Sequence, residues 1–170
     1  MTEGKQKQRL SKDTVEISPK DQLIKRKVFN MERQIFDDYI NRFNARDFST
    51  FEDYIDPNAK VINGTLEIVG MQGMKEHYAE IWNMFSEELH IERFVSDDQT
   101  LAIEMRTHFT ALKDNDDSLF GKVKAGECFD YHGVIMYQIA DNKFTDIKVA
   151  YLRFSHTDLE GKTVQLGIPH

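Results

Sequence analysis

The side chains best suited to moving protons sit in two alternating runs, Glu104-x-Arg106-x-His108 and Asp130-x-His132. An imidazole titrates near neutrality, so His108 or His132 could pass a proton to or from an enolisable carbon or a hydroxyl. Asp130 could orient one of them, or act itself if burial raises its pKa. Arg106, Arg153 and Tyr151 could hold an enolate or carboxylate oxygen. Tyr39, Trp82, Met84 and Met136 could form an apolar wall around a ring system. Such chemistry calls for no metal and no cofactor. The sequence has no glycine-rich phosphate loop, and its histidines lack the HExxH spacing of a helical metal site.

Each of these residues also has an ordinary reading. Asp130 and Arg153 could form a cross-strand salt bridge on an open surface, and Glu104-x-Arg106-x-His108 a solvated charge ladder. His132 and Tyr151 could be a satisfied structural pair, and His108 a surface residue of a strand. His77 and His90 fall at element edges. Phe36, Tyr39 and Phe43 form a helical stripe that reads as core.

Positioning these groups requires a set of helices and strands. From Asp21 to about Asn44 the pattern is helical, with Ile35, Tyr39, Ile40 and Phe43 on one side. Ser49-Thr50-Phe51-Glu52 has capping-box spacing and opens a short second helix with Phe51, Tyr54 and Ile55 inward. Asn63-Gly64 reads as a type I′ turn between short strands at 60–62 and 65–69. A third helix is expected from Gly70 to about Leu89, its buried stripe being Met74, Tyr78, Ile81, Phe85 and Leu89. Strands follow at 90–96, 100–112, 127–140 and 143–156, with a charged loop at 113–126. Helices first and long antiparallel strands afterwards define an α+β domain with helices on one face of a curved sheet.

Alternation sorts the strands into two faces. If Asp141-Asn142 is a two-residue loop and the register is regular, His132 faces Tyr151 and Asp130 faces Arg153. That face is apolar near the hairpin turn, at Met136 and Val149, and ionisable toward its far end. Arg106 and His108 are expected beside it. An apolar body with a few convergent polar groups is what a ligand pocket needs. The opposite face, with Phe129, Tyr131, Ile135, Tyr137, Ile139, Phe144, Ala150, Leu152 and Phe154, is apolar almost throughout, interrupted by Asp146 and Lys148, and suits helix packing or contact with a second copy.

Composition bounds the alternatives. The chain has 170 residues and a net charge of −7, enough length for one domain with a real core. Residues 1–30 carry eight basic and four acidic side chains, a net of +4, so the remainder carries −11. An acidic body makes a poor nucleic-acid binder. No apolar run is long enough to span a membrane, and the first residues do not form a secretory signal. One cysteine, Cys128, allows no intramolecular disulfide and fits a reducing, cytoplasmic setting.

The order of elements resembles the nuclear-transport-factor-2-like superfamily and, within it, the SnoaL-like polyketide cyclases. The resemblance is carried by Tyr39-Ile40-Asn41-Arg42-Phe43-Asn44-Ala45-Arg46-Asp47-Phe48, similar to an aromatic helix ending in a (D/N)-x-x-D-(W/F) step. It is carried also by Asp141-Asn142-Lys143-Phe144, similar to the hairpin before the family's last strand. It covers about residues 30–156 and implies a cone-shaped α+β barrel, three helices packed on a curved, mostly antiparallel sheet. It also implies homodimers through the outer sheet face. Scytalone dehydratase, of the same fold, carries a catalytic histidine at a position similar to His108.

These readings combine into a set of expectations. Residues 1–22 would be a flexible polar arm, 23–156 the cone domain and 157–170 a tail. The function would be cofactor-free acid–base catalysis, as a cyclase, isomerase or dehydratase of a ring-bearing carbonyl compound. His108, His132, Asp130 and Arg106 would carry the reaction, and Tyr39, Trp82, Met136, Val149, Tyr151 and Arg153 would line the substrate. The partners would be a small apolar ligand and a second copy of the chain, with no nucleic acid and no membrane. The alternative is a non-catalytic ligand-binding or dimerisation domain of the same fold.

Overall fold

The computed structural model describes residues 31–167. The expected arm, the start of the first helix and the last three residues lie outside the described residues. Three helices precede most of the sheet: α1 (Arg33–Asn44), α2 (Ser49–Tyr54) and α3 (Gly70–Met84). The strands are β1 (Ile55–Asn63), β2 (Leu66–Val69), β3 (Phe85–Ser96), β4 (Thr100–Ala111), β5 (Asn115–Ser118), β6 (Gly121–Val123), β7 (Cys128–Ala140), β8 (Lys143–Thr157) and β9 (Thr163–Leu166). The main sheet runs β2-β1-β8-β7-β4-β3, with β9 added to β8. Among the described residues only β1 and β8 pair in parallel, so the sheet is mixed and mostly antiparallel. This is the expected cone-shaped α+β fold of the nuclear-transport-factor-2-like type. Among the described residues no helix is long and apolar enough to cross a membrane.

The helices press an aromatic layer onto one sheet face. Phe36, Tyr39, Ile40 and Phe43 of α1 are buried, and Met74, Ile81 and Trp82 of α3 join them. Phe51 of α2 stacks on both Tyr78 and Trp82. The inner sheet face contributes Leu101, Ile103, Met105 and Phe109 from β4 and Phe129, Ile135, Tyr137 and Ile139 from β7. The apolar face of the two alternating patterns is therefore the inner one.

Four local features depart from the expected pattern. Helix α3 stops at Met84, and Phe85 to Leu89 belong to β3. Phe85 and Leu89 are four residues apart, a spacing that repeats on one face of a helix and of a strand alike. At the first turn Asn63 pairs with Leu66, so the loop is Gly64-Thr65. Only Gly64 has positive φ there, 62°, as in a II′ turn, whereas a I′ turn needs positive φ at both central residues. Before α2, Asp47 rather than Ser49 takes the capping role, accepting from the Ser49 backbone N–H at 2.9 Å.

The fourth departure is in β8. Asp141 and Asn142 both have positive φ, and Ala140 pairs with Lys143 as expected. The register then shifts twice, between Gln138 and Ile139 and between His132 and Gly133 on the β7 side. Each shift leaves an extra β8 residue, Thr145 and Leu152. A bulge reverses which residues face inward beyond it. Phe144, then Ile147, Val149 and Tyr151, then Phe154 therefore share the inner face. His132 pairs with Arg153 and Asp130 with Ser155, not with Tyr151 and Arg153.

Candidate active site

Between the helices and the inner sheet face lies a cavity of about 420 Å³. Leu66, Ile81, Leu89, Met105, Ile135 and Val149 form much of its apolar wall. The hairpin residues Asn63 to Leu66 and the tip residues Leu119 and Phe120 form part of its rim. A smaller space of about 50 Å³, lined by Tyr39, Phe43 and Tyr137 among others, shares Tyr78 and Leu89 with it.

Glu87 of β3 opens onto this cavity and is only 6% exposed. Alternation puts it there: Phe85, Glu87 and Leu89 occupy successive inward positions of β3. Burial pushes its carboxyl up to about 8, because an ion loses its hydration in an apolar site. Trp82 and the more distant Arg46 oppose that shift weakly. The Trp82 indole N–H lowers the Glu87 pKa, yet among the described residues neither Trp82 Nε1 nor Glu87 Oε2 completes a hydrogen bond. A carboxyl with a spare oxygen and a pKa near neutrality is equipped to exchange a proton with a ligand.

The other polar groups in the wall are neutral donors and acceptors. Tyr131 and Tyr151 lie with ring centroids 4.6 Å apart. The Tyr151 hydroxyl donates to Asn63 Oδ1, and burial followed by the Tyr151 neighbour raises the Tyr131 pKa. The buried Thr107 hydroxyl donates to the Met105 sulfur at 3.0 Å. His77 stands edge-on to the Tyr78 ring, and burial lowers its pKa, which favours neutral imidazole. No lysine or arginine lines the cavity among the described residues.

β3 is held in place by a side chain acting as a strand. Asn44, at the end of α1, donates Nδ2 to the Leu89 carbonyl at 2.9 Å. Its Oδ1 accepts the Leu89 N–H at 2.8 Å. This pair ties the helix to the backbone two residues beyond Glu87.

The expected catalytic set is not in this cavity. His108, Asp130, Arg106 and His132 are on the outer sheet face, because even-numbered residues of β4 and β7 point away from the helices. There His108 Nδ1 meets Asp130 Oδ1 at 2.7 Å, with both side chains about half exposed. His132 Nε2 meets Glu104 Oε1 at 2.8 Å. Arg106 pairs with Glu92, and Arg93 with Glu104 at 3.3 Å. The charge-ladder reading describes these contacts. Met136 and Arg153 are exposed on the same face. Trp82 of α3 is buried among the rings of Phe43, Phe48, Phe51 and Tyr78, and Tyr39 touches only the smaller space among the described cavities. Val149 and Tyr151 do line the cavity, brought inward by the first β8 bulge.

Glu87, Tyr131, Thr107, Asn63 and His77 were not among the candidates. The run Phe85-x-Glu87-x-Leu89-x-Ile91 carries the missed signal, a carboxylate at an inward position of an otherwise apolar alternation. Alternation assigns Tyr131 to the apolar face, and that face is the cavity wall.

An α+β cone that encloses an apolar cavity with a few polar groups in its wall has the form of a small-molecule site. The profile of the SnoaL-like domain matches residues 36–147, and the chain belongs to that family. No curated protein matches it by sequence. Solved structures of the same fold include a SnoaL-like polyketide cyclase from Agrobacterium tumefaciens. It is 16% identical with a TM-score of 0.55, over 74% of this chain and 90% of that one. An LEH-like epoxide hydrolase from M. tuberculosis is 13% identical with a TM-score of 0.54, over 72% and 79%. A Kribbella flavida protein proposed to be a ketosteroid isomerase is 13% identical with a TM-score of 0.52, over 70% and 76%.

Proposed function

We propose that the protein is an acid–base enzyme acting on an uncharged, ring-bearing carbonyl compound, with Glu87 as the group that moves the proton. The observation that carries this reading is the Glu87 carboxyl, buried in the cavity wall and raised to about 8. The ionised carboxylate takes a proton from a carbon next to the carbonyl. The C–H electron pair moves into the ring, and negative charge collects on the carbonyl oxygen. The Tyr131 hydroxyl turns from Tyr151 to donate to that oxygen, with Thr107 as a further donor. In a β,γ-unsaturated substrate the enolate extends over the neighbouring C=C, so Glu87 returns the same proton to the γ carbon and the double bond moves into conjugation with the carbonyl. The sequence is an isomerisation in which no electrons are gained or lost, so the scheme needs no cofactor.

The lining supports an uncharged substrate. His77 is pushed toward its neutral form, as are Glu87 and the tyrosines. A ligand carboxylate or phosphate would lose hydration and meet no cation. The test follows hydrogen–deuterium exchange next to the carbonyl in a panel of cyclic ketones from cyclohexenone to decalone in heavy water. The protein accelerates exchange for at least one member, and Glu87→Gln removes the acceleration. Equal rates for the two proteins overturn the assignment.

A further inference from the structure

Among the described residues the β5–β6 hairpin forms a two-stranded sheet of its own, separate from the main sheet. Its flanks are charged and outward, with Lys122 on Asp116 at 2.8 Å and Lys124 on Asp114 at 2.6 Å. Its tip is apolar and turned to the cavity. The Phe120 ring lies 4.9 Å from Phe85, 5.2 Å from Phe109 and 4.5 Å from Phe129, centroid to centroid. Phe85 precedes Glu87 by one inward position, and Phe109 is its cross-strand partner. Phe120 therefore packs on the two aromatic residues that flank the buried carboxyl. Beside it Leu119 lines the cavity and yet is 58% exposed, the position of an apolar side chain at a mouth.

We propose, given that the cavity is the reacting site, that this hairpin is its cover: Phe120 is a positioning residue that keeps water from Glu87, and Leu119 determines specificity at the mouth. A packed ring over the Phe85–Phe109 flank removes the hydration that would otherwise stabilise the carboxylate. The remaining groups acting on Glu87 are Trp82 and Arg46, with Tyr39, Tyr78, Tyr131 and Tyr151 feeling its charge. Of these, only Tyr131 contacts the Phe120 ring, at 5.9 Å. Leu119 would cover the part of a ring-bearing ligand that reaches the opening, adding apolar area without a charge.

The experiment is a carboxyl-carbon NMR titration of Glu87 in the full chain, with Nile red fluorescence as a neutral binding probe. Phe120→Ala lowers the Glu87 midpoint by about one pH unit or more, as hydration of a buried carboxyl does, and Phe120→Leu restores most of it. Leu119→Ser, at an exposed position that does not threaten folding, leaves the midpoint unchanged and weakens Nile red binding several-fold. A high wild-type midpoint that Phe120→Ala does not move overturns the shielding role alone. A wild-type midpoint in the ordinary carboxylate range overturns the reading of Glu87 and its shielding together. Unchanged Nile red affinity in Leu119→Ser overturns the specificity role.

Discussion

At the scale of single residues, Glu87 bears opposite consequences for stability and for chemistry. Its folded pKa of about 8 stands above the ordinary carboxylate value of 4.5. Between those values the folded state holds a proton that the unfolded state has released. Stability is therefore greatest below about pH 4.5 as far as this group is concerned, and is lost as pH rises through 8. The slope reaches about 1.4 kcal/mol per pH unit. Glu87→Gln is expected to flatten that dependence and raise the melting temperature at neutral pH, while abolishing turnover; scanning calorimetry across pH checks the first part. His77 works in the reverse direction: burial depresses its pKa, so its contribution is lost as pH falls. For the reaction, the free enzyme needs Glu87 ionised to take the first proton. kcat/KM is expected to rise about tenfold per pH unit below 8 and level off above it. A profile that falls above 8 would instead make Glu87 a general acid, as in a dehydration. His108→Ala and His132→Ala are expected to leave kcat/KM unchanged, since both side chains are on the outer face.

At the scale of elements, the site depends on how β3 and β8 are set against their neighbours. The two β8 bulges give the inner face Val149, Tyr151 and Phe154, which a regular strand could not present together. The Asn44 pair with Leu89 fixes β3 where Glu87 must sit. Asn44→Ala would leave the buried Leu89 N–H and carbonyl without partners, at a cost on the order of 2 kcal/mol, read as a lower urea midpoint. Gly70 is a second fixed point, at the start of α3. It has φ +73°, and a Cβ there would lie 2.1 Å from the Pro57 carbonyl oxygen. Gly70→Ala is expected to cost well beyond the ~1 kcal/mol of a left-handed alanine, because the backbone itself must move.

At the scale of the whole molecule, the sheet divides the protein into an enclosed inner side and an outer side that mixes charge with exposed apolar residues. Val134 is 38% exposed and Met136 48% exposed. Each faces a small residue across the strands, Val134 opposite Ala150 and Met136 opposite Ala102. The His132–Glu104–Arg93 and His108–Asp130 contacts border this strip. A second copy covering it would bury the apolar centre and leave the ion pairs at the rim. Size-exclusion chromatography with light scattering is expected to give twice the 19.9 kDa chain mass. Val134→Lys with Met136→Glu should halve it. A single-copy mass for the unsubstituted protein would mean that this face is ordinary surface.

How much of this was legible beforehand follows from which forces are local. Helical spacing exposed Tyr39, Ile40 and Phe43, and the Asp141-Asn142 loop and the alternation of β4 and β7 depend only on nearest neighbours along the chain. Those signals were enough for the class of fold and for sorting β4 and β7 into two faces. They could not say which face the helices cover. Charged residues on one face read as a site, although the ion pairs satisfy one another in solvent, and the apolar face reads as packing against helices or a second copy. Only the tertiary arrangement decided that the apolar face curves around a cavity. The β8 bulges, invisible in an alternating pattern, carried Tyr151 into it. The helices above Glu87 removed its water, and burial against distant segments turned an ordinary carboxylate into a group that titrates near neutrality.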